Sequence, residues 1–433
     1  MTSPGRRSKA LAGEEDRRRP APAGAAGEPR AAAGTPLYVH IPFCVRKCAY
    51  CDFYSLPRAS QDVDRVVEGL LAEARVRAPR HPRSLYLGGG TPSLLAVPEL
   101  ARLLDGLERI TGYRDSAVEV SVEANPESLD AAKAAALRSL GVTRLTIGLQ
   151  SLRPDLLHLF GRVHDPAQGL AAVAAALAAG FPSVGIDLIY AAPGQDLAAW
   201  ERDLDRIAGL GVHHVSAYCL AFEESTPLGE LLASGAMAGA SERVELDFFW
   251  STRRRLAAAG WTPYEISSFA LSGHQCQHNV NYWNGGDYEG LGPSAASKVR
   301  HERRGNPRSI DAWLAALGAG RSPFAWRETL SPRRRLGEAW WLGLRTTHGV
   351  LPAEARTRAG FGSEVLEDAG HGPGEGGRDP AEALARELAA EGWLEEIEGR
   401  WRLTERGLPL ADALAARFLV PPDPETAPQR GAG

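Results

Sequence analysis

Cys44-Val45-Arg46-Lys47-Cys48-Ala49-Tyr50-Cys51 follows directly on Leu37-Tyr38-Val39-His40-Ile41. The five-residue stretch has the β-branched and aromatic composition of a strand. The octapeptide after it is a loop with three thiols, separated by three and then two residues. Thiolates that close converge on one soft metal centre. Two fillings are open. One is a four-iron cluster with three protein ligands, which leaves an iron free, and a free coordination position is what a catalytic rather than a purely structural centre requires. The other is a zinc site completed by His40 or Asp52. Position 53, where a fourth thiol would fall, is Phe53.

Outward from this loop, short β-branched runs alternate with Ala/Leu/Arg stretches of helical period, the pattern of βα units on a parallel sheet. Strands are expected at Leu37–Ile41, Ser84–Leu87, Val118–Val122, Arg144–Leu149, Val184–Ile189 and His213–Tyr218, and helices at Asp62–Arg77, Val97–Ile110, Leu129–Leu140, Ala167–Ala179 and Leu197–Gly209. Eight such strands close a full barrel, so six predict an α/β fold with a partial, open (βα)6 barrel.

The organisation that follows is a tail at 1–35, a barrel core at 36–230, an extension of the barrel at 231–325, a carboxyl-terminal domain at 326–420 and a second tail at 421–433. Residues 1–35 are rich in Arg, Ala, Gly and Pro, which predicts a disordered, solvated tail, with contact to anionic lipid as the alternative. The carboxyl-terminal domain reads as a Trp-bearing helix at Arg333–Leu344, a glycine-rich linker at Gly370–Gly377, a helix at Glu382–Glu391, a hairpin at Trp393–Leu403 turning at Gly399, and a last helix to Phe418. Helices with a hairpin wing predict a smaller, helical, winged-helix-like unit. Glu391, Glu395, Glu396 and Glu398 crowd that wing and would repel phosphate, so it reads as a packing or interaction module.

Composition narrows the classes. Over 433 residues, 49 Lys and Arg against 53 Asp and Glu leave a net charge of −4, which argues against a dedicated nucleic-acid binder. No run approaches the roughly 18 apolar residues of a membrane span. Five cysteines, three of them within eight residues, do not suit a secreted disulfide scaffold, and a reducing cytoplasm is the expected compartment.

In α/β sheets and barrels, ligands bind at the carboxyl ends of the strands. Polar signatures stand at those ends in successive units: the cysteine loop after the first strand, Gly88-Gly89-Gly90-Thr91-Pro92 after the second, Glu123 with Asn125-Pro126 after the third, Gln150-Ser151 after the fourth, and Asp187 with Pro193-Gly194 in and after the fifth. A glycine run lets backbone approach a small zwitterion. Glu123 and Asp187 offer acceptors for an ammonium or ribose hydroxyls, Gln150 a bridge, and Arg162 a partner for a carboxylate. Taken singly, a tight turn explains the glycines and a salt bridge the charges.

The cysteine spacing, with Tyr50 before the third Cys, resembles the radical S-adenosylmethionine (SAM) superfamily. That resemblance implies a [4Fe-4S] cluster on Cys44, Cys48 and Cys51 whose open iron chelates SAM and whose electron cleaves it. Tyr38-Val-His40-Ile-Pro42-Phe43-Cys44, Gly88 to Pro92, Glu123-Ala-Asn125-Pro126, Ile147-Gly-Leu-Gln150-Ser151, Leu159-Phe-Gly161-Arg162 and Asp187-Leu-Ile-Tyr190 resemble the oxygen-independent coproporphyrinogen III oxidase-like family. This likeness runs from about residue 36 to 300, and the carboxyl-terminal module is similar as well. It implies that Tyr38, Tyr50, Gly89, Gly90, Thr91, Glu123, Gln150, Arg162 and Asp187 bind SAM.

Within that family the dehydrogenases carry a further cysteine where this chain has Phe53. Tyr264-Glu-Ile-Ser-Ser-Phe-Ala270 and His278-Asn-Val-Asn-Tyr282-Trp283 are instead similar to its HemW haem-chaperone branch. That branch implies haem as ligand, a haem-accepting protein such as a membrane respiratory enzyme, and an electron donor such as a flavodoxin or ferredoxin. His278 offers an imidazole for haem iron and Tyr282 with Trp283 an aromatic face, with Cys276 a second candidate ligand and Gly285-Gly286, Gly290 and Gly292 room for a flat ligand. Cys219 reads as a small buried hydrophobe, and His213 and His214 have no evident partner. The rival readings are radical decarboxylation of coproporphyrinogen III and a structural metal module.

Overall fold

The computed structural model describes residues 31–361 and 379–419. The expected tails at 1–35 and 421–433, apart from residues 31–35, and the linker at 370–377 lie outside the described residues. Residues 31–35 themselves pack on the body: the Gly34 N–H donates to the Arg80 carbonyl (3.1 Å), and the Gly34 carbonyl accepts from the Arg83 N–H (3.2 Å).

The six anticipated strands are present: β1 (Leu37–Ile41), β2 (Ser84–Gly89), β3 (Glu119–Ala124), β4 (Arg144–Gln150), β5 (Ser183–Tyr190) and β6 (His214–Cys219). Three short strands, β7 (Thr262–Pro263), β8 (Ser268–Ala270) and β9 (Glu289–Leu291), extend them into one sheet of order β9-β1-β2-β3-β4-β5-β6-β8-β7. From β9 to β6 every pairing is parallel, and β8 and β7 add antiparallel at the far edge. The first and last strands in that order do not pair, so the barrel stays open.

Alternation along each strand separates its two faces. Leu37, Val39, Ile41, Leu85, Leu87, Val120, Val122, Leu145, Ile147, Val184, Ile186 and Val215 pack outward in one core under the helices. Each such side chain contributes about 1.5–3 kcal/mol by leaving water. The alternate positions are polar: Tyr38 and His40, Ser84 and Tyr86, Glu119 and Glu123, Arg144 and Gln150, Asp187, Ser216 and Tyr218. The concave side is therefore a polar lumen.

The helices between strands have local reasons to start where they do. Asp62, Asp130, Asp165 and Asp196 each accept a backbone N–H from the first turn of the helices Val63–Arg77, Ala131–Ser139, Pro166–Ala178 and Leu197–Ala208.

Strand β9 has no apolar run to announce it. Its Glu289 is fully buried and accepts from Arg77 and from Arg304 (2.9 Å), while Glu73, also fully buried, takes Arg77, the Asn306 amide (2.8 Å) and the Trp313 indole (3.0 Å). Gly290 and Gly292 are packing residues: an added Cβ would meet the Ala296 carbonyl at 2.1 Å and the His40 carbonyl at 2.7 Å respectively. Room for a flat ligand is not their use.

The carboxyl-terminal body has its own core, with Trp340 stacked on Phe418 at 4.9 Å between ring centroids. Helices Pro332–Leu344, Pro352–Ala359, Pro380–Ala390 and Ala411–Ala416 surround a hairpin, Leu394–Ile397 with Arg400–Leu403. Its turn residues Glu398 and Gly399 both have positive φ (52° and 75°), as a tight hairpin demands.

Candidate functional site

The cysteine loop lies over the carboxyl ends of the strands and is pinned from several sides. The Ala49 N–H donates to the Phe160 carbonyl (2.9 Å), the Ala49 carbonyl accepts from the Leu228 N–H (2.9 Å), and Arg46 donates to the Gly161 carbonyl (2.7 Å). Asp52 accepts from the Ser225 hydroxyl (2.6 Å), and its carbonyl from Arg308 (2.7 Å). The Tyr50 ring meets the Phe160 ring edge-on at 5.6 Å.

Cys44, Cys48 and Cys51 are free thiols, partly exposed at this mouth. The Cys51 thiol is raised to about 11, chiefly by burial and in part by the neighbouring Cys48 and Cys44, so the three share one electrostatic site. Burial raises Cys44 as well, opposed by hydrogen bonds from Ser55 and Thr91. The Thr91 hydroxyl points at Cys44 Sγ (3.6 Å) and the Arg162 guanidinium at Cys48 Sγ (3.5 Å).

These residues fit a cluster better than a single ion. Among the described residues no three of His, Cys, Asp and Glu close on one metal position, whereas a cubane takes its thiolates at separate irons. His40 cannot complete a zinc site as it stands. Its Nε2 donates to the Tyr54 carbonyl (2.9 Å), so its Nδ1 accepts from the Tyr38 hydroxyl (3.0 Å). Asp52 is held by Ser225 and Arg308.

The glycine loop is built against β1. The Gly90 N–H donates to the Ile41 carbonyl (2.8 Å) and the Thr91 N–H to the Phe43 carbonyl (2.6 Å). A Cβ on Gly90 would meet the Phe43 carbonyl at 2.5 Å, and Gly89, at φ 109°, would strike the His40 ring. The run is thus required for packing beneath the thiols, whatever it also admits above.

Below the loop the predicted residues form connected sets. Glu123 accepts from the Tyr86 hydroxyl (2.7 Å) and the Gly89 N–H (3.0 Å), and burial holds its carboxyl above the usual range. Across the lumen, burial raises Asp187 to about 7; the charge of Glu123 adds to this, while a Ser216 hydrogen bond and Arg162 oppose it. Asn125 joins the groups by donating to Thr91 Oγ1 (2.9 Å) and accepting from Arg162 (2.7 Å). Gln150 sits past a bulge in β4 at φ 63°, a left-handed conformation uncommon for a side-chain-bearing residue and frequent at functional sites.

Tyr86 and Ser216 did not stand out in the sequence, and Asn125 stood out only as a strand-end residue beside Glu123. The signal was available: Tyr86 and Ser216 fall on the inward parity of their strands, and Asn125 lies within the quoted Glu123-Ala-Asn125-Pro126.

His278 lies elsewhere than expected. It sits on the helix Gln277–Trp283 at the amino ends of the strands, 1% exposed, forming the lumen floor beneath Tyr86 (ring centroids 5.0 Å). Both ring nitrogens are engaged, Nδ1 with Ser84 (2.8 Å) and Nε2 with Tyr282 (2.8 Å). Cys276 is also buried and directs its thiol at Glu119 (3.4 Å), which further accepts the N–H groups of Gln277 and His278 and the Arg144 guanidinium. An added Cβ on Gly286 would meet the Asn281 amide at 2.2 Å, so Gly286 too is a packing residue. Cys219 is only partly buried, His214 bonds the Tyr264 hydroxyl (2.9 Å), and His213 accepts from the Val184 N–H (3.1 Å).

An open parallel barrel with three thiols on the loop after its first strand defines a radical SAM protein, and the Radical SAM superfamily profile matches residues 38–207. The chain is 34% identical to the haem chaperone HemW of Mycobacterium tuberculosis over 88% of its own length and 94% of the relative's. It is 30% identical to that of Bacillus subtilis over 88% and 98%. The solved coproporphyrinogen III oxidase HemN of Escherichia coli shares the fold, with a TM-score of 0.75, 22% identity and 90% of each chain covered. The chain belongs to the HemW haem-chaperone family.

Proposed function

We propose that the protein is a haem chaperone of the radical SAM type, which binds haem and passes it to an acceptor protein. The near full-length likeness to haem chaperones at 34% identity carries this reading, and the free three-thiol loop over a polar lumen supports it. Cys44, Cys48 and Cys51 hold the [4Fe-4S] cluster. When bound, the cluster supplies an open iron for SAM and a single electron. The chain's own part is to position SAM: Gly89, Gly90 and Thr91 give close backbone and a hydroxyl, Tyr50 stands in the cysteine loop and Tyr38 deeper in the lumen, and Glu123, Gln150, Arg162 and Asp187 offer complementary charge and hydrogen bonds. Haem acceptance by a respiratory enzyme, reduction by a flavodoxin or ferredoxin, and a cytoplasmic location with peripheral membrane contact belong to the same proposal. No helix among the described residues is long and apolar enough to cross a membrane.

The test is anaerobic. The cluster is reconstituted, SAM is added, and hemin uptake is followed beside turnover of coproporphyrinogen III. Saturable hemin uptake without decarboxylation is expected. Sustained decarboxylation would make the protein a coproporphyrinogen dehydrogenase instead.

A further inference from the structure

The two oxygens of Glu123 have separate donors, both from the second strand: the Tyr86 hydroxyl reaches Oε1 (2.7 Å) and the Gly89 N–H reaches Oε2 (3.0 Å). Gly88 is what lets these groups meet, because a Cβ there would stand 2.7 Å from the Tyr86 ring and 2.9 Å from Glu123 Oε1. Gly89 turns its N–H onto the carboxylate at φ 109°, a conformation that side-chain-bearing residues rarely adopt. The Tyr86 ring is itself held in place, stacked on Tyr38 at 6.1 Å and resting on His278 at 5.0 Å. Tyr86 and Glu123 lie deep in the barrel and stay partly open to the lumen.

A carboxylate accepts at about four sites, so two inner donors leave the remaining lone pairs for a ligand. Donors to the ionised form also favour it over the protonated one. Burial pushes the Glu123 carboxyl up, and Tyr86 and Gly89 pull against it. A protonated carboxyl would be the poorer acceptor for an amine.

We propose that Tyr86 is a positioning residue for SAM: in the space that Gly88 leaves, its hydroxyl keeps Glu123 aimed and ionised as the acceptor for the amino group of SAM. The inference rests on the SAM-site reading of Glu123 and supplies the support behind it. Glu123 faces Tyr38 on β1, Tyr86 on β2, Asp187 on β5 and Tyr282 on the Gln277–Trp283 helix, and its charge is felt at all four, with Arg162 opposing the effect at Asp187. Burial keeps the three phenols protonated.

The test compares the parent with Tyr86→Phe, which keeps the ring and removes only the hydroxyl. Difference infrared spectroscopy of the cofactor-free full chain reads the Glu123 carboxyl band, assigned by its loss in Glu123→Gln. The Glu123 midpoint should rise by about one to two pH units in Tyr86→Phe, the worth of one hydrogen bond to a charged group. Equilibrium dialysis of SAM on cluster-loaded protein supplies the second readout. Asp187 and the amino group of SAM titrate in both proteins, so the ratio of the two affinities follows Glu123. As pH falls the variant's carboxylate takes its proton first, and the parent's advantage should widen to roughly 10–100-fold. An unmoved midpoint, or an affinity ratio that is the same at every pH, overturns the role of Tyr86 and leaves the SAM site standing. If the parent binds no SAM, the SAM-site reading fails and this role with it, even where the midpoint moves.

Discussion

Arg162 bridges the thiol loop and the lumen with one guanidinium: Nη1 lies 3.5 Å from Cys48 Sγ, and Nη2 lies 2.7 Å from Asn125 Oδ1 and 2.8 Å from the Gly148 carbonyl. Its fork fixes the third strand end, the fourth strand end and the loop at once. Arg162→Ala should weaken SAM binding by roughly 10–100-fold, the loss expected for one charge-assisted hydrogen bond of about 1.5–3 kcal/mol. Arg162→Lys should recover little, because an ammonium cannot span these partners in a plane. Equilibrium dialysis with SAM on cluster-loaded protein measures both.

The cysteines divide by position. Cys44, Cys48 and Cys51 share one mouth, whereas Cys276 is buried against Glu119 at the opposite end and Cys219 closes β6. Replacing any of the first three with Ser should abolish the brown iron-sulfur absorbance, and replacing Cys219 with Ser should leave iron and sulfide content at the parent level. Iron and sulfide assays after anaerobic reconstitution decide. Iron retained by Cys48→Ser would take that thiol out of the centre.

How far the fold could be read from residues alone follows from where the information sits. Strands β1 to β6 were legible because outward Leu, Val and Ile alternate with inward polar residues, a period that survives without tertiary knowledge. The three thiols were legible because they are local. Strand β9 was not, since Glu289 becomes strand-like only through Arg77 and Arg304, the first more than two hundred residues away. The partners of His278 were hidden for a related reason. Spacing of four on a helix places Tyr282 on the same face, and the hydroxyl occupies the nitrogen that looked available.

Asp187 makes stability depend on pH with a definite sign. Its carboxyl rises from 3.8 to about 7 in the folded chain, chiefly by burial, so between these values the folded state holds a proton that the unfolded state has lost. Stability from this group is full below pH 4 and falls as pH climbs through 7. The buried imidazoles of His40 and His278, lowered by burial to about 4, work the other way between pH 4 and 6.5. The parent curve is therefore mixed, and the difference between parent and Asp187→Asn isolates the carboxyl. That difference should be near zero at pH 4 and should favour the variant by on the order of 2–4 kcal/mol at pH 8. Urea unfolding at the two pH values measures it, and a difference independent of pH would place the Asp187 titration outside this range.

The floor of the lumen gives the last expectation. His278 is closed in by Ser84, Tyr282 and the rings of Tyr86 and Tyr38, and its backbone N–H ends on Glu119. His278→Ala leaves two buried hydroxyls without their partner and opens a cavity under the barrel. Unsatisfied buried groups cost about 1–3 kcal/mol each, with a further loss for the void, so the variant should lose roughly 3–5 kcal/mol. His278→Gln keeps one donor and one acceptor near the same atoms and should recover part of that loss. Urea unfolding of parent and both variants supplies the numbers. Equal stability in all three would mean that the floor closes without this imidazole.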